Sequence, residues 1–316
     1  MIPALVLTAG LATRLRPLSF VRAKAAVPVA GEPLVRRILR GLAAAGVTDA
    51  VLNLHHLPHT LTAVVGDGSD LGVRVRYSWE MPVLGSAGGP RRALPLLRSE
   101  FRAPSSSFLI VNGDTLTDVD LGAVVSAHEQ SDALVTLAVV PNTEPGKYSG
   151  VLVDANGAVT GFSKVGSPEP SFHFIGIQVA KAEAFASLDD RKPVESINGI
   201  YPAFIAARPG SIRAYACSAE FFDIGTPADY VRTSLLLAGR EGHDLHARIH
   251  PTARVDTSIL WDDVEVGAGA MLRDCVVTDG VRVPADTSWI GVTIRTAHGE
   301  LAPGERRIGE LAICAL

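Results

Sequence analysis

The stretch Ala4-Leu-Val-Leu-Thr-Ala-Gly-Leu-Ala-Thr-Arg-Leu-Arg-Pro-Leu18 places an apolar run directly before a loop of small residues and arginines. The run predicts a buried strand, and small side chains in the loop leave main-chain amides accessible. The first 31 residues contain no acidic residue, although the formal net charge of the chain is -4. They contain four cations, Arg14, Arg16, Arg22 and Lys24. Amides followed by fixed cations predict a site for a nucleoside triphosphate; the alternative is a strand end beside solvated charges.

Length and composition limit the class of protein. The 316 residues are 47% hydrophobic and 20% charged, which allows a large core and two structural units. No apolar stretch is long enough to cross a bilayer and the start has no basic leader, so we expect neither membrane insertion nor secretion. Cys217, Cys275 and Cys314 are widely spaced and odd in number, which favours a cytoplasmic location. The mildly acidic balance argues against a general nucleic-acid binder.

Strands and helices alternate through most of the first half of the chain, the pattern of a mostly parallel sheet wrapped by helices. Strands are predicted at residues 4–7, 50–54, 73–78, 108–112 and 134–140, and helices at residues 34–45 and 121–130. A hairpin with Asn156-Gly157 as its turn, a strand at residues 172–180 and a helix at residues 228–238 are expected to follow. The predicted class is α/β, with a Rossmann-like mixed sheet that is mostly parallel and flanked by helices.

The C-terminal part of the chain has a different pattern. Beyond a polar segment at residues 240–247, interpreted as a linker, apolar residues recur at intervals of five or six at Ile249, Val255, Trp261, Val266, Leu272, Val277 and Val283. This spacing is typical of a short left-handed parallel β-helix of two to three coils; the alternative is an irregular strand-rich tail. We predict one domain at residues 1–240 and a second at residues 241–316, and assign no structure to residues 296–316. A β-helix this short is expected to pack on the first domain or to mediate a homo-oligomer.

Residues 7–34 resemble the signature of the sugar-1-phosphate nucleotidyltransferases, also called nucleotide-sugar pyrophosphorylases. The family pattern is L-A-G-G-x-G-T-R-L-x-P-L-T, followed by P-K-P and P-V-x-G-x-P-L. This chain keeps Gly10, Thr13, Arg14, Pro17 and Lys24 and departs from the pattern at Ala9, Ala12, Ala23 and Ala25. Alanine in place of glycine restricts the approach of the loop backbone to phosphate.

Three further segments are similar to family motifs in the family's order. Residues 80–89 resemble E-x-x-x-L-G-T-A-G, residues 111–114 resemble the N-G-D motif, and residues 222–226 resemble W-x-D-I-G-T. The resemblance implies that Asp114 and Asp223 hold one magnesium ion, which accepts one or two carboxylates and completes its shell with water and phosphate. Asp114 also follows an apolar run, so we expect it at the carboxyl end of a buried strand, where ligands of α/β sheets bind. The alternatives are a turn at Asp114 and a helix cap at Asp223.

The resemblance implies three sets of site residues. The catalytic set is Arg14, Lys24, Asp114 and Asp223. The nucleotide-binding set is Leu7, Ala9, Gly10, Arg14, Glu80, Gly85, Ser86, Gly88 and Asn112, with Arg14 on the β and γ phosphates. The set that binds the sugar phosphate is Gly150, Lys164 and Gly176, with Ser163 where the family usually has a glutamate; Lys164 could instead be an exposed hairpin lysine.

The implied activity is transfer of a nucleoside monophosphate from a nucleoside triphosphate to a sugar 1-phosphate. The layout is most similar to the mannose-1-phosphate guanylyltransferases, which implies GTP and mannose 1-phosphate as substrates. UTP or another triphosphate with a glucose or N-acetylmuramate type of sugar phosphate is the alternative, and a catalytically weak regulatory subunit that binds nucleotide sugars is another. The histidines His55, His56 and His59 are interpreted as a polar loop, since they lack the frame of a zinc site.

Overall fold

The computed structural model describes residues 2–97, 106–241 and 247–316, except for the side chains of residues 240 and 241. The chain forms two compact units. Unit 1 contains residues 1–10, 36–58 and 65–222, and unit 2 contains residues 11–35, 59–64 and 223–316. Most of the predicted linker, residues 242–246, lies outside the described residues, and the domain boundary after residue 240 stays a prediction.

Strands and helices follow each other in the predicted order. The strands are β1 Ala4–Leu7, β2 Pro28–Val29, β3 Glu32–Pro33, β4 Asp49–Leu54, β5 Arg74–Trp79, β6 Ser107–Asn112, β7 Thr115–Thr117, β8 Val135–Pro141, β9 Gly150–Val153, β10 Val159–Ser163, β11 Phe172–Lys181, β12 Ile212–Ala216, β13 Phe221–Asp223, β14 Arg248–Ile249, β15 Arg254–Asp256, β16 Ile259–Leu260, β17 Glu265–Val266, β18 Met271–Arg273, β19 Val276–Val277, β20 Arg282–Val283, β21 Ser288–Ile290, β22 Val292–Thr296, β23 Arg306–Ile308 and β24 Leu311–Ala315. The α-helices are α1 Leu34–Ala44, α2 Pro58–Val65, α3 Gly85–Leu97, α4 Leu121–Glu129, α5 Glu183–Ala186, α6 Tyr201–Ala207 and α7 Pro227–Glu241. Short 3-10 turns lie at Thr13–Leu15, Leu18–Phe20, Lys24–Ala26 and Ser69–Leu71, and a π turn lies at Ser196–Ile200.

A mixed sheet forms the centre of unit 1. Its order is β10-β9-β11-β6-β1-β4-β5, and β8 pairs with both β11 and β12. Strands β6, β1, β4 and β5 run parallel, with Leu5 aligned to Val51 on one side and to Ile110 on the other. These three side chains belong to one buried cluster, as expected for parallel strands covered on both faces. The predicted α/β class is confirmed.

Two glycines form chain reversals where the sequence predicts them. Helix α1 gives way to Gly46, whose φ of 85° lies in the left-handed region that favours glycine. In the hairpin of β9 and β10, Gly157 has a φ of 81°, and the carboxylate of Asp154 accepts hydrogen bonds from the amides of Asn156 and Ala158 at 2.9 Å. The Asn156-Gly157 turn is therefore stabilised by an acidic side chain as well as by glycine.

Unit 2 contains a β-helix of three coils. Three short parallel sheets run along it, in the orders β14-β17-β20, β15-β18-β21 and β16-β19-β22. Arg248 aligns with Glu265 and Glu265 with Arg282, so each coil is 17 residues long. This length explains the irregular intervals in the sequence, because one of every three hexapeptides is a residue short. Of the recurring apolar residues, Val266, Leu272, Val277 and Val283 lie in the core and Val255 packs against it, whereas Ile249 in the first coil is exposed.

The unassigned end of the chain continues one sheet of the β-helix. Strand β24 pairs antiparallel with β22, with Ile294 opposite Ile313, and β23 pairs antiparallel with β24. Ile313 and Leu311 join the apolar core of the β-helix. The sequence lacked a signal for this hairpin because its pairing partner lies in the last coil.

The cysteines Cys217, Cys275 and Cys314 are free thiols. Burial raises the pKa of the Cys275 thiol, which keeps it protonated at neutral pH. Among the described residues, no helix combines the length and the apolar character needed to cross a membrane.

His128 on α4 is a buried neutral histidine. It is 1% exposed, its Nδ1 lies 2.9 Å from Thr136 Oγ1 and its Nε2 lies 3.1 Å from Ser107 Oγ. Burial lowers the pKa of His128 to about 4, because the charged ring would lose its hydration. The unfolded chain takes up this proton near its ordinary pKa, so the stability contributed by His128 is present above that value and declines as the pH falls toward 4.

Lowering the pH from 7 to 5 should reduce the free energy of unfolding of both proteins. We expect the reduction to be about 2 kcal/mol smaller in His128→Gln than in the parent protein. Urea denaturation at the two pH values measures this difference. The matched control is His250→Gln, because His250 is exposed. If His128→Gln and the parent lose the same free energy of unfolding between the two pH values, His128 does not titrate in this range.

Candidate active site

Two of the predicted motifs, in the loops that follow β1 and β6, begin side by side at the sheet of unit 1. Strands β1 and β6 are parallel neighbours, with Leu7 aligned to Asn112. The amide of Gly113 donates to the carbonyl of Leu7 at 2.9 Å. A Cβ on Gly113 would lie 2.6 Å from that carbonyl oxygen, so this close approach requires glycine. The two loops therefore begin together at the carboxyl edge of a parallel sheet, where α/β proteins bind ligands.

Asn53 connects the first loop to the neighbouring strand. It lies in β4 and is 3% exposed. Its Oδ1 accepts from the amide of Thr8 at 2.6 Å and from that of Ala9 at 3.3 Å, and its Nδ2 donates to Glu80 Oε1 at 2.7 Å. The Thr8 hydroxyl donates to the Asn53 carbonyl. Sequence reasoning did not identify Asn53; the available signal was an amide side chain inside an otherwise apolar strand.

Glu80 organises the loop before the second nucleotide motif. It is 4% exposed; Oε1 accepts from Asn53, and Oε2 accepts from the amide of Leu84 at 2.8 Å. Burial raises the pKa of Glu80, and these two hydrogen bonds oppose that rise. His55 Nδ1 lies 2.9 Å from the Glu80 carbonyl oxygen. The carboxylate thus holds the chain between Glu80 and Leu84, and its predicted contact with the nucleotide stays a prediction.

The segment Gly85 to Gly89 packs against residues 192–196. The amides of Ala87 and Gly88 both donate to the Val194 carbonyl, at 2.9 and 3.1 Å. A Cβ on Gly88 would lie 2.9 Å from the carbonyl oxygen of Lys192. Glycine at this position is therefore required by the approach of another chain segment. Its direct role toward a nucleotide stays a prediction.

Ser86 and Glu195 add a polar contact between the same two segments. The Ser86 hydroxyl donates to Glu195 Oε2 at 2.6 Å and accepts from the amide of Ser196 at 2.8 Å. The Ser196 hydroxyl donates to Ser86 Oγ at 2.9 Å. Ser86 is consequently a structural tie as well as a predicted nucleotide-binding residue.

Asp114 follows β6, and Gly176 lies beside the same strand end. The Asp114 carboxylate is half-buried and accepts from Thr115 Oγ1 at 3.2 Å. Gly176 has a φ of 79°, and a Cβ on it would lie 3.0 Å from Asn112 Cβ and 3.2 Å from Thr115 Oγ1. The structure therefore brings Gly176, predicted for the sugar phosphate, next to Asn112, predicted for the nucleotide.

The remaining predicted sugar-phosphate residues lie on the hairpin of β9 and β10. Gly150 is aligned with Ser163, and a Cβ on Gly150 would collide with the hydroxyls of Ser163 and Ser171. Lys164 follows β10 directly and is exposed. The hairpin thus presents hydroxyl groups where the resemblance leads us to expect a carboxylate.

An aromatic cluster that sequence reasoning missed borders this hairpin. The rings of Tyr148 and His173 are 4.1 Å apart, and the ring of Phe221 lies 4.8 Å from His173 and 5.6 Å from Tyr148. Burial lowers the pKa of His173 to about 4, so the ring is neutral at pH 7. The three rings are therefore neutral, and the Lys147 ammonium lies 4.9 Å from the centroid of the Tyr148 ring.

The cationic segment, residues 11–35, belongs to unit 2. Arg14 lies exposed in the turn Thr13–Leu15, and Lys24 begins the turn Lys24–Ala26 and is half-buried. Ala12, where the family pattern has glycine, has a φ of 49°. This loop therefore keeps the backbone shape that glycine would adopt, although a left-handed alanine costs about 1 kcal/mol.

The predicted residues fall into two sets. Unit 1 brings Leu7, Ala9, Gly10, Glu80, Asn112 and Asp114 to neighbouring strand ends, with Gly176 of β11 beside Asn112, and it also contains Gly85, Ser86, Gly88, Gly150 and Lys164, whereas Arg14, Lys24 and Asp223 belong to unit 2. The joint role of Asp114 and Asp223 in binding one metal ion stays a prediction. Within the part of the chain that the structure describes, no group of three or more His, Cys, Asp or Glu side chains is arranged to hold a metal ion.

Comparison with known proteins gives consistent matches over most of the chain. Residues 3–239 match the family described as Nucleotidyl transferase, and residues 231–298 match the family described as GlmU-like, C-terminal hexapeptide. The chain is 30% identical to mannose-1-phosphate guanylyltransferase of Mycobacterium tuberculosis, a match that covers 90% of this chain and 82% of that protein. It is 25% identical to UTP–glucose-1-phosphate uridylyltransferase of Synechocystis, over 98% of this chain and 86% of that protein.

Solved structures share the fold. The crystal structure of HddC from Yersinia pseudotuberculosis complexed with GMP-PN matches with a TM-score of 0.63 and 22% identity, and covers 75% of this chain and all of that chain. The family match spans the sheet of unit 1 and the cationic segment of unit 2, and the hexapeptide match spans the β-helix. The chain is therefore a member of the nucleotidyl transferase family, with a hexapeptide β-helix at its C-terminal end.

Proposed function

We propose that this sugar-1-phosphate nucleotidyltransferase transfers GMP from GTP to mannose 1-phosphate, giving GDP-mannose and pyrophosphate. The observation that carries the transfer chemistry is the parallel pairing of β1 with β6, which delivers the loops after Leu7 and Asn112 to the same sheet edge. The choice of GTP and mannose 1-phosphate is supported by 30% identity to the mycobacterial mannose-1-phosphate guanylyltransferase over 90% of the chain.

In the proposed reaction, an oxygen of the sugar phosphate attacks the α-phosphorus of the triphosphate. The new P–O bond forms as the bond to the bridging oxygen of the β-phosphate breaks, and pyrophosphate leaves with the electron pair. Because both reactants are anions, binding them in line and offsetting their charge supplies most of the rate enhancement, and no side chain needs to act as a nucleophile. We assign the β and γ phosphates to Arg14, whose planar fork suits two oxygens, and the α-phosphate or the sugar phosphate to Lys24.

Magnesium is the proposed metal, with Asp114 and Asp223 as its protein ligands. The donor chemistry fits, since a half-buried carboxylate at a strand end can bind a cation that keeps several waters and takes its other oxygens from phosphates. When bound, magnesium would neutralise phosphate charge. Asp114 and Asp223 would hold the ion, and Arg14 and Lys24 would bind phosphate oxygens directly.

A UTP-dependent reaction is the second candidate for the substrate pair. The 25% identity to the uridylyltransferase of Synechocystis over 98% of this chain favours it, and the aromatic cluster at Tyr148, His173 and Phe221 is neutral and could border several sugars. A regulatory subunit with weak turnover is the third candidate, because Ala12 stands where the family loop has glycine.

A substrate matrix tests the proposal. The purified chain is incubated with each of GTP, UTP, ATP, CTP and dTTP against mannose, glucose and N-acetylmuramate 1-phosphates in the presence of Mg²⁺, and pyrophosphate release is measured. We expect the highest kcat/KM for GTP with mannose 1-phosphate and a GDP-sugar as the product identified by mass spectrometry. A higher value for UTP would replace the guanylyl assignment, and no release from any pair would favour the regulatory subunit.

We also propose that the protein works in the cytoplasm as a homo-oligomer assembled through its β-helix. Three free thiols suit a reducing compartment, and short hexapeptide β-helices commonly pack on a neighbour. Light scattering of the purified protein tests the oligomer, and a monomer at micromolar concentration would contradict it. Fractionation of the source cells tests the location, which recovery outside the cytoplasm would refute.

A further inference from the structure

In unit 2, two aspartates of the β-helix bind an arginine near the N-terminus of the chain. Arg22 is 8% exposed; its Nε and Nη2 donate to the two carboxylate oxygens of Asp279 at 2.6 and 2.7 Å. Its Nη2 also donates to Asp262 Oδ2 at 2.5 Å, and its Nη1 donates to the Ala26 carbonyl at 3.4 Å. One guanidinium therefore joins two carboxylates to a main-chain group two residues beyond Lys24.

The geometry of the two aspartates comes from the β-helix. Leu260 aligns with Val277 in adjacent coils, so Asp262 and Asp279, two residues further along, occupy equivalent positions of successive coils. The amide of Asp262 also donates to Asp279 Oδ1 at 3.3 Å. The coil spacing thus sets the distance between the carboxylates, and a planar guanidinium can bridge them where an ammonium would act as a point charge.

Two further contacts join other parts of unit 2 to the same segment. Trp261 Nε1 donates to the Tyr230 hydroxyl at 2.8 Å, and that hydroxyl donates to the Pro28 carbonyl at 2.7 Å. The Arg295 guanidinium lies 5.0 Å from the centroid of the Phe20 ring. Residues 20–28 are therefore held at three points, one by Tyr230 of α7 and two by the β-helix, through the aspartates that bind Arg22 and through Arg295 of β22.

The energetics favour positioning over stability as the role of the arginine contact. Burying charges has a desolvation cost that an ion pair recovers only when its geometry is good, so buried ion pairs contribute little net stability. They do define one arrangement here, because Arg22 is buried while Asp262 and Asp279 are partly exposed, so displacement of the aspartates would leave the guanidinium charge without compensation. The segment that Arg22 anchors carries Arg14 and Lys24, to which we assign the phosphates.

We propose that Asp262 and Asp279 hold Arg22 as a positioning residue, and that the β-helix thereby sets the place of the phosphate-binding cations in residues 11–35. This inference rests on the proposed function of Arg14 and Lys24. It makes the hexapeptide β-helix part of the catalytic apparatus of each chain, in addition to any role in assembly.

The test compares phosphate-dependent with phosphate-independent binding in the full-length protein. The variants are Asp262→Asn with Asp279→Asn, and Arg22→Lys as the conservative change. The matched control is Asp263→Asn, since Asp263 is the exposed neighbour of Asp262. Kinetics give kcat and KM for GTP, the triphosphate of the proposed reaction. Calorimetry gives the affinities of the protein for GTP and for its nucleoside, guanosine.

We expect the double variant to lose about 100-fold in kcat/KM for the triphosphate, because displacement of binding groups by about 1 Å has an effect of this size. The affinity for the triphosphate should fall while that for the nucleoside stays within twofold of the parent, and Arg22→Lys should show a smaller loss. The Asp263→Asn control should match the parent in every measurement.

Two results would overturn the inference. One is a double variant with the kinetics of the parent, and the other is an equal loss of nucleoside and triphosphate affinity, which would indicate a structural role alone. If the double variant does not fold, Arg22→Met combined with both Asp→Asn changes removes every charge of the contact and is tested in the same way. Absence of turnover in the parent would reject the proposed function, whereas the ratio of the two affinities would still test the positioning.

Discussion

Asp114→Asn is expected to lower kcat/KM for nucleotidyl transfer by about 1000-fold at saturating Mg²⁺. The amide is nearly isosteric with the carboxylate, so the strand end after β6 should keep its shape, but the negative charge that we propose binds the metal is lost. Initial rates of pyrophosphate release over a range of Mg²⁺ concentrations measure the effect. We expect the Mg²⁺ concentration for half-maximal rate to rise as well.

Asp120→Asn is the matched control for this change. Asp120 caps α4, where its carboxylate accepts from the amide of Ala123 at 3.0 Å, and asparagine caps helices as well as aspartate does. Activity in this variant should stay within twofold of the parent. If Asp114→Asn is as active as the control, Asp114 is not a metal ligand. If Asp223→Asn and Asp114→Asn act on the same ion, the fold-loss of kcat/KM in the double variant should be much smaller than the product of the fold-losses in the two single variants.

Asn53→Leu is expected to lower the free energy of unfolding by about 3 kcal/mol and kcat/KM by about 100-fold. Leucine has a similar size but removes the acceptor for the amides of Thr8 and Ala9 and the donor to Glu80 Oε1, all in a buried place. Urea denaturation measures the stability, and pyrophosphate release measures the activity. Both losses are expected because the same side chain holds the loop after β1, which we propose binds the nucleotide, and the carboxylate of Glu80.

The control for this prediction is Asn156→Leu, since Asn156 is exposed in the hairpin turn. It should change the free energy of unfolding by less than about 0.5 kcal/mol. Asn53→Asp separates the two functions of the side chain, because it keeps the acceptor for the amides but places a second carboxylate against Glu80. The loss of stability of this variant should grow as the pH rises and both carboxyl groups, the one introduced at position 53 and that of Glu80, become charged. Parent-like stability of Asn53→Leu would show that the loop does not depend on this contact.

The elements of unit 1 that the sequence predicted each have a local signal, whereas α3, α5, α6, β7 and β12 were not predicted. The run before Thr8 is apolar and ends at small residues, and β1 is indeed Ala4–Leu7. Helix α1 has an apolar face with a period near 3.6 residues and is followed by Gly46. The β-helix could be predicted from the intervals between Ile249 and Val283, which repeat within each coil.

The candidate site could be predicted only where a motif carries it. Asp114 follows the end of β6 as expected and Gly176 lies on β11 beside it, but Asn53 and Val194 make their contacts across 45 and roughly 100 residues of sequence. Such contacts leave no periodic trace, since any polar side chain in a strand or any carbonyl in a loop could make them. The role of glycine at position 88 was open for the same reason, because its neighbour at Lys192 is remote in the chain.

The sequence by itself determined the strands and helices that carry a local signal, the coil repeat and the family signature, because hydrophobic periodicity and short motifs are properties of neighbouring residues. Only the tertiary structure decided which distant segments meet: that residues 11–35 belong with the β-helix in unit 2, and that Arg22 binds aspartates 240 and 257 residues away. The physical reason is that such pairings are chosen by the packing and desolvation of the whole chain, where a buried charge is tolerated only at the place that offers it partners.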